Sequence, residues 1–296
     1  MTNINTWIIG CGNTGQLVTQ RLQQQGLHIK ATSHSGGSTI QLEQLGIEVF
    51  PADLDDPSSL RDLTLDHADI FYFAPPAAKD EKDHRMSSFL ASLNLSAPPR
   101  RIVYISTTGV YGDHDGAWIT EKTPTKPNNA RSKRRLDAEN QIRDFCGNHV
   151  TEYMILRVAG IYDSKKLPLD RINAGLKVLK ADIAPSSNRI HGDDLANICI
   201  AAMQSKHHDE IFNIADGNPS SISDYFIQTA HLFNLTPPEE IDWEQAQKVL
   251  SPEMLSYLKE SKKIDASYVL DRLGVSLLYP SLTEGLMACK NEREKL

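Results

Sequence analysis

Short apolar bursts alternate with longer stretches of helical period through the first two-thirds of the chain. Trp7-Ile8-Ile9 precedes a glycine turn, then a segment with Leu17, Val18 and Leu22 on one face and Gly26 just past its end as a stop signal. Further runs at His28 to Thr32, Ile47 to Phe50, Ile70 to Phe73, Ile102 to Ser106, Tyr153 to Arg157 and Ile211 to Ile214 predict strands, and most intervals between them hold a helix. That rhythm predicts an α/β fold with a doubly wound parallel sheet and right-handed crossovers. The runs at Ile70 to Phe73 and Ile102 to Tyr104 are nearly continuous, as in strands covered on both faces. Past Gly160 the rhythm loosens into prolines and polar helices on either side of the run at Ile211 to Ile214. The pattern therefore predicts a main domain of residues 1–164 plus 188–215, and a small C-terminal α/β cap built from insertions, residues 165–187 plus 216–288.

Composition narrows the function. Among 296 residues, 31 Lys and Arg stand against 38 Asp and Glu, a net charge of −7, which makes the chain a poor partner for a nucleic-acid backbone. The cysteines Cys11, Cys146, Cys199 and Cys289 are scattered without a CxxC spacing, so neither a disulfide framework nor a zinc site is expected. The histidines form no HExxH pattern, and no metal is expected. There is no GxSxG elbow to support serine hydrolysis. No window approaches the roughly 18 apolar residues of a membrane span. These features predict a cytoplasmic protein whose partners include no nucleic acid and no membrane.

Gly10-Cys11-Gly12-Asn13-Thr14-Gly15 is a GxGxxG directly after a predicted strand and at the head of a predicted helix. Gly10 suits the tight turn, Gly12 lets backbone approach a pyrophosphate, and Gly15 permits close packing of helix on strand, with the amides of Asn13, Thr14 and Gly15 at the helix head. In such a fold an acidic residue at the end of the second strand would mark NAD. Here Ser33 and His34 stand there, with no carboxylate to repel a 2′-phosphate, so the expected cofactor is NAD(P) with NADP favoured over NAD. Asp53 is placed to meet the adenine amino group, and Ala74-Pro75 to let backbone pass beside the ribose. Both lie at strand ends, where ligands bind in open parallel sheets.

The glycine turn, Tyr104-Ile105-Ser106-Thr107-Thr108-Gly109-Val110-Tyr111-Gly112-Asp113, Arg157-Val158-Ala159-Gly160-Ile161-Tyr162 and Arg189-Ile190-His191-Gly192-Asp193-Asp194-Leu195-Ala196 come in the order of a known family. Together they resemble the extended short-chain dehydrogenases/reductases, the NAD-dependent epimerase/dehydratase group, and Asn213-Ile214-Ala215-Asp216-Gly217 resembles its atypical bacterial branch. The resemblance implies a Rossmann domain and hydride transfer assisted by a Ser/Thr, a Tyr and a Lys. It puts the hydroxyl residue at Thr107 and the lysine at Lys133. The tyrosine of the YxxxK motif is missing, for Asn129 stands four residues before Lys133. An amide holds a carbonyl oxygen but transfers no proton near neutral pH, while Lys133 retains a role at the nicotinamide ribose. Tyr111, Tyr162 and His191 are candidates for a relocated proton donor, Tyr162 first.

Arg131, beside Lys133, and Arg189, before His191, suit an anionic substrate because guanidinium offers paired donors. Asn129, Arg131, Arg189 and His191 are therefore the candidate substrate contacts. Thr108 and Gly109 stand where dehydratases of the family carry acidic residues, which favours reduction or epimerisation over loss of water. The resemblance implies an NAD(P)-dependent oxidoreductase or epimerase, monomer or homodimer, whose partner is a small-molecule substrate, a polar carbonyl compound of anionic or sugar-nucleotide type. The alternative is a catalytically silent NAD(P) sensor or regulator that lost the tyrosine.

Overall fold

The computed structural model describes residues 5–295. Each of the seven apolar runs is a strand within it. β1 (Thr6–Ile9), α1 (Asn13–Gln24), β2 (Ile29–Ser33), α2 (Gly36–Gln44), β3 (Glu48–Pro51), β4 (Asp69–Tyr72), α3 (His84–Ala91), β5 (Arg101–Thr107) and α4 (Ala130–Asn148) follow in chain order, and the strands Glu152–Val158 and Glu210–Ile214 complete the sheet. Its spatial order is Glu210–Ile214, Glu152–Val158, β5, β4, β1, β2, β3. β1 pairs in parallel with both β2 and β4, in register Thr6 with Ile29 and Thr6 with Asp69. The chain thus winds outward from β1 in one direction through β3 and then in the other through β4, so the strand order reverses beside the carboxyl end of β1. Open sheets of this kind bind ligands at that switch point.

Trp7, Ile8 and Ile9 are fully buried, as a central strand requires. One face of the sheet, with Trp7, Ile70, Tyr72, Ile102 and Tyr104, packs against Met86 and Phe89 of α3 and Ala138 and Ile142 of α4. Burial of each such side chain contributes about 1.5–3 kcal/mol, which holds α4 against β5 although the helix is polar around most of its circumference.

The chain forms two compact units. The first comprises the chain up to Val110, Pro127–Arg157 and Leu195–Phe212; the second comprises Tyr111–Lys126, Val158–Asp194 and the chain from Asn213 onward. The boundaries differ from the expected 1–164 plus 188–215 and 165–187 plus 216–288, because short strands without a periodic signal bind their segments into the second unit. Trp118–Ile119 pairs with Lys263–Ile264, and Gly160–Tyr162 with Arg189–His191. The second unit has its own core of Tyr162, Ile172, Val178, Phe226 and Leu286. No helix among the described residues is long and apolar enough to cross a membrane.

Candidate functional site

The glycine turn meets the mechanical demands of a diphosphate cradle. Gly10 has a φ of +84°, and a Cβ there would lie 2.7 Å from the backbone of Ala74, so the exit of β1 is pressed against the end of β4. The Gly10 N–H donates to Thr32 Oγ1 at 3.1 Å, fixing the turn to β2. Gly12 is the N-cap of α1 and no side-chain cap is made among the described residues, so the positive end of its dipole carries no capping side chain. Nothing lies within 4 Å of where a Gly12 Cβ would be. That is the open approach a phosphate needs. A Cβ at Gly15 would stand 3.1 Å from Cys11 Sγ and 3.2 Å from Ile8, so helix and strand pack tightly there.

The loops after β2, β3 and β4 are tied to one another. His34 Nδ1 lies 3.5 Å from Asp53 Oδ2, and Asp53 Oδ1 accepts the Asp55 N–H at 2.8 Å. Arg85 grips Asp55 with two bonds of 3.0 and 2.6 Å and donates a third, at 3.0 Å, to the carbonyl of Pro75. The arginine holds the Asp55 carboxyl below the usual range. Ser33 is buried and donates to the Ser35 carbonyl, while Ser35 caps α2. Ser33, His34, Asp53, Ala74 and Pro75 therefore line the carboxyl ends of neighbouring strands.

On the other side of β1, Thr107 ends β5 half-buried, and its Oγ1 accepts the Gly109 N–H at 3.1 Å. Asn129 and Lys133, expected at the cofactor and substrate, make contacts within α4 and with the loop before α3. Asn129 is the N-cap, its Oδ1 accepting the Ser132 N–H at 2.9 Å, and Lys133 Nζ is paired with Glu81 Oε1 at 2.7 Å. The face turned to β5 carries Arg135, which donates to the Ile105 carbonyl at 2.8 Å and the Tyr104 hydroxyl at 3.2 Å. It also carries Glu139, which accepts from Ser106 and is gripped by Arg157, Nη2 to Oε2 2.6 Å, with both charges buried. At about 100° per residue, Arg131 shares this stripe, whereas Lys133 lies roughly 160° from Arg135 around the helix. The pair four residues apart on the sheet-facing side is Arg131 and Arg135. Arg135 was missed in the sequence; its spacing of four from both Arg131 and Glu139 was the available signal.

Residues 8–215 match the model of the NAD dependent epimerase/dehydratase family. The chain belongs to this family. Protein YeeZ of Escherichia coli K12 is 24% identical over 285 residues, spanning 92% of this chain and 95% of that protein. UDP-arabinose 4-epimerase 1 of Arabidopsis thaliana is 27% identical over 176 residues, 52% of this chain and 42% of that one. Among solved structures, a functionally unknown conserved protein from Silicibacter pomeroyi superposes with a TM-score of 0.84 at 27% identity, covering 97% of this chain and 98% of that one. The UDP-glucose 4-epimerase of Thermotoga maritima, solved with UDP-glucose, shares the fold with a TM-score of 0.80 at 18% identity and 99% coverage of each chain.

Against the epimerase/dehydratase pattern, the three candidates for a relocated proton donor are internal to the second unit. Tyr162 is 2% exposed, edge-on to His191 at 5.2 Å, and its hydroxyl abuts Gly285, where a Cβ would overlap it. Burial pushes this phenol far above its ordinary value. It packs in the core of the second unit, a setting at odds with the expected proton-transfer role. His191 accepts the Asp193 N–H at Nδ1, 3.2 Å, and its Nε2 lies 3.4 Å from Cys289 Sγ; burial pulls its pKa down from 6.5. Arg189 donates to Ser220 Oγ and the Ser221 carbonyl, both at 2.8 Å, with its guanidinium 4.9 Å from the Tyr225 ring centre. His191 and Arg189 thus spend their polar groups on their own unit instead of presenting them as substrate contacts. Tyr111 is buried and donates to Asn213 Oδ1 at 2.7 Å.

Proposed function

We propose that the protein binds NAD(P) at the glycine cradle, with NADP preferred, and moves hydride to or from a polar carbonyl substrate of anionic or sugar-nucleotide type. The observation that carries this reading is the open approach at Gly12, between Gly10, where a Cβ has no room, and Gly15, where it would be tight. Gly10, Gly12, Asn13, Thr14 and Gly15 would hold the diphosphate. Ser33 and His34 would meet a 2′-phosphate, Asp53 the adenine, and Ala74 and Pro75 the ribose. The dinucleotide, when bound, supplies or takes up the hydride. Thr107 would hold the carbonyl oxygen through its hydroxyl. The names of similar proteins, UDP-arabinose 4-epimerase and UDP-glucose 4-epimerase, support the sugar-nucleotide side of the proposal. A cytoplasmic location suits such a substrate.

The second reading is a silent dinucleotide sensor. It is favoured by Asn129 serving as a helix cap and by the burial of Tyr111, Tyr162 and His191, the three candidates for a relocated proton donor. General acid–base assistance is worth about 10²–10⁴-fold, so its loss slows hydride transfer without forbidding it. Ligand-stripped protein is titrated with NADPH and NADH by calorimetry, then mixed with NADPH and a panel of carbonyl compounds and nucleotide sugars while nicotinamide absorbance is followed. Micromolar binding with slow turnover of a panel member is the expected result. Binding without turnover across the panel favours the sensor, and no binding of either dinucleotide overturns both.

A further inference from the structure

Arg85 lies in the first turn of α3, where the positive end of the helix dipole disfavours a cation. Its backbone is firmly held there. The Asp83 cap accepts the Met86 N–H at 3.1 Å, the Asp83 N–H donates to Asp137 Oδ2 of α4 at 2.9 Å, and Met86 is fully buried. From that platform the guanidinium reaches two loops at once. Nε and Nη2 donate to the two oxygens of Asp55, after β3, and Nη1 donates to the carbonyl of Pro75, after β4. A guanidinium is planar and rigid, so the three bonds fix the two loop ends relative to each other.

Each loop end carries a group assigned above to the dinucleotide. Asp53 accepts the Asp55 N–H at Oδ1 and turns Oδ2 toward His34, so holding Asp55 orients the Asp53 carboxyl. Ala74, next to Pro75, is pressed against Gly10 and donates its N–H to the Ile9 carbonyl at 3.1 Å. The chain at Ala74 and Pro75 is therefore held by the glycine turn from one direction and by Arg85 from another. The side chains of Arg85 and Asp55 are 26% and 35% exposed. A pair so open to solvent adds little to folding stability. What it supplies is order in two loops that a ligand would otherwise have to order on binding.

We infer that Arg85 is a positioning residue for the dinucleotide: acting through Asp55 and Pro75, it sets the Asp53 carboxyl for the adenine and the Ala74–Pro75 backbone for the ribose before the ligand arrives. This deepens the reading above, on which it rests for the identity of the ligand. Adenine and ribose are common to NADPH and NADH, so the brace favours both alike. Electrostatics alone acts in the opposite sense at one position, because deleting the negative charge of Asp55 would improve the binding of an anionic ligand. The sign of the effect at Asp55 therefore separates bracing from simple charge.

The full chain, stripped of ligand, is titrated with NADPH and with NADH by calorimetry as wild type, Arg85→Met, Arg85→Lys, Asp55→Ala and the Arg85→Met/Asp55→Ala double variant. The control is Arg100→Met, which breaks a two-bond pair with Asp69 at the start of β4. Arg85→Met is expected to weaken both dinucleotides about tenfold, the cost of ordering on binding what the brace orders beforehand. Asp55→Ala should weaken both by a smaller factor, and Arg85→Lys should recover part of the loss. The double variant should bind no worse than Arg85→Met, since without the arginine Asp55 has nothing to hold. Arg100→Met should lower the melting temperature at least as much as Arg85→Met and leave both affinities unchanged, a contrast that a merely structural role for Arg85 does not produce. Hydrogen exchange of the ligand-free protein gives a second readout: the Asp55 and Ala74 amides should exchange faster in Arg85→Met and at the wild-type rate in Arg100→Met. Unchanged affinities in Arg85→Met, tighter binding in Asp55→Ala, a loss confined to NADPH, or an equal loss in Arg100→Met overturns the brace while the wild type still binds. A wild type that binds neither dinucleotide removes the reading above and the inference with it.

Discussion

Gly10 and Gly12 are both small for a reason, but for different reasons, and substitution separates them. A methyl group at Gly10 meets the Ala74 backbone at 2.7 Å in a conformation, φ +84°, that L side chains rarely adopt. Gly10→Ala is expected to destabilise the fold by about 1–3 kcal/mol, as overpacking and backbone strain do, and to weaken NADPH binding with it. A methyl group at Gly12 meets no atom within 4 Å, and its φ of −79° is ordinary. Gly12→Ala should therefore leave stability within about 0.5 kcal/mol while obstructing the diphosphate. Thermal melting of the two variants alongside NADPH titration checks this: equal loss of stability in both would mean that Gly12 serves the turn and not a ligand. The motif was legible in the sequence because each glycine answers to a local rule of backbone geometry.

At the scale of elements, the strands were readable and the orientation of α4 was not, for one physical reason. A buried strand needs continuous apolar residues, and runs such as Ile70 to Phe73 announce themselves. Much of the inner face of α4 is instead built from charged groups that satisfy one another, Arg135 on the Ile105 carbonyl and Glu139 on Ser106 and Arg157. A polar helix shows no apolar stripe by which to phase it, so Lys133 was expected on a face that belongs to Arg131 and Arg135. The short strands of the second unit escaped notice because two or three residues carry no period. The same charged face makes α4 sensitive at particular points. Glu139→Ala removes the carboxylate that Ser106 and Arg157 both bond in a buried setting and should cost about 3–5 kcal/mol. Asn129→Ala removes only the cap and should cost about 1 kcal/mol, with NADPH affinity unchanged because the amide is spent on the Ser132 N–H. Chemical denaturation of both variants measures the difference, and a large loss of NADPH affinity in Asn129→Ala would return that residue to the binding site.

At the scale of the whole molecule, stability against pH is set by buried groups whose shifts oppose one another. Burial pulls the His191 pKa below 6.5, so the unfolded chain takes up a proton that the folded one refuses. Stability from this group is present above pH 6.5 and is lost as pH falls below it. Asp216 runs the other way, since burial raises it from 3.8 to about 6. Between those values the folded state holds the extra proton, and stability rises as pH falls through 6. Asp83 and Asp194, also raised by burial, act in the same direction as Asp216. The wild-type melting temperature should consequently change little between pH 7 and 5, with the opposing slopes exposed only when one group is removed. In Asp216→Asn, whose amide oxygen can still accept the Asn218 N–H that Asp216 Oδ1 accepts at 2.9 Å, melting temperature should fall more steeply over that range than in the wild type. In His191→Gln it should rise as pH falls toward 5. Melting curves at half-unit intervals decide the matter: parallel profiles for the wild type and both variants would mean that neither group changes its protonation on unfolding, and that the second unit's buried polar cluster is not what governs acid stability.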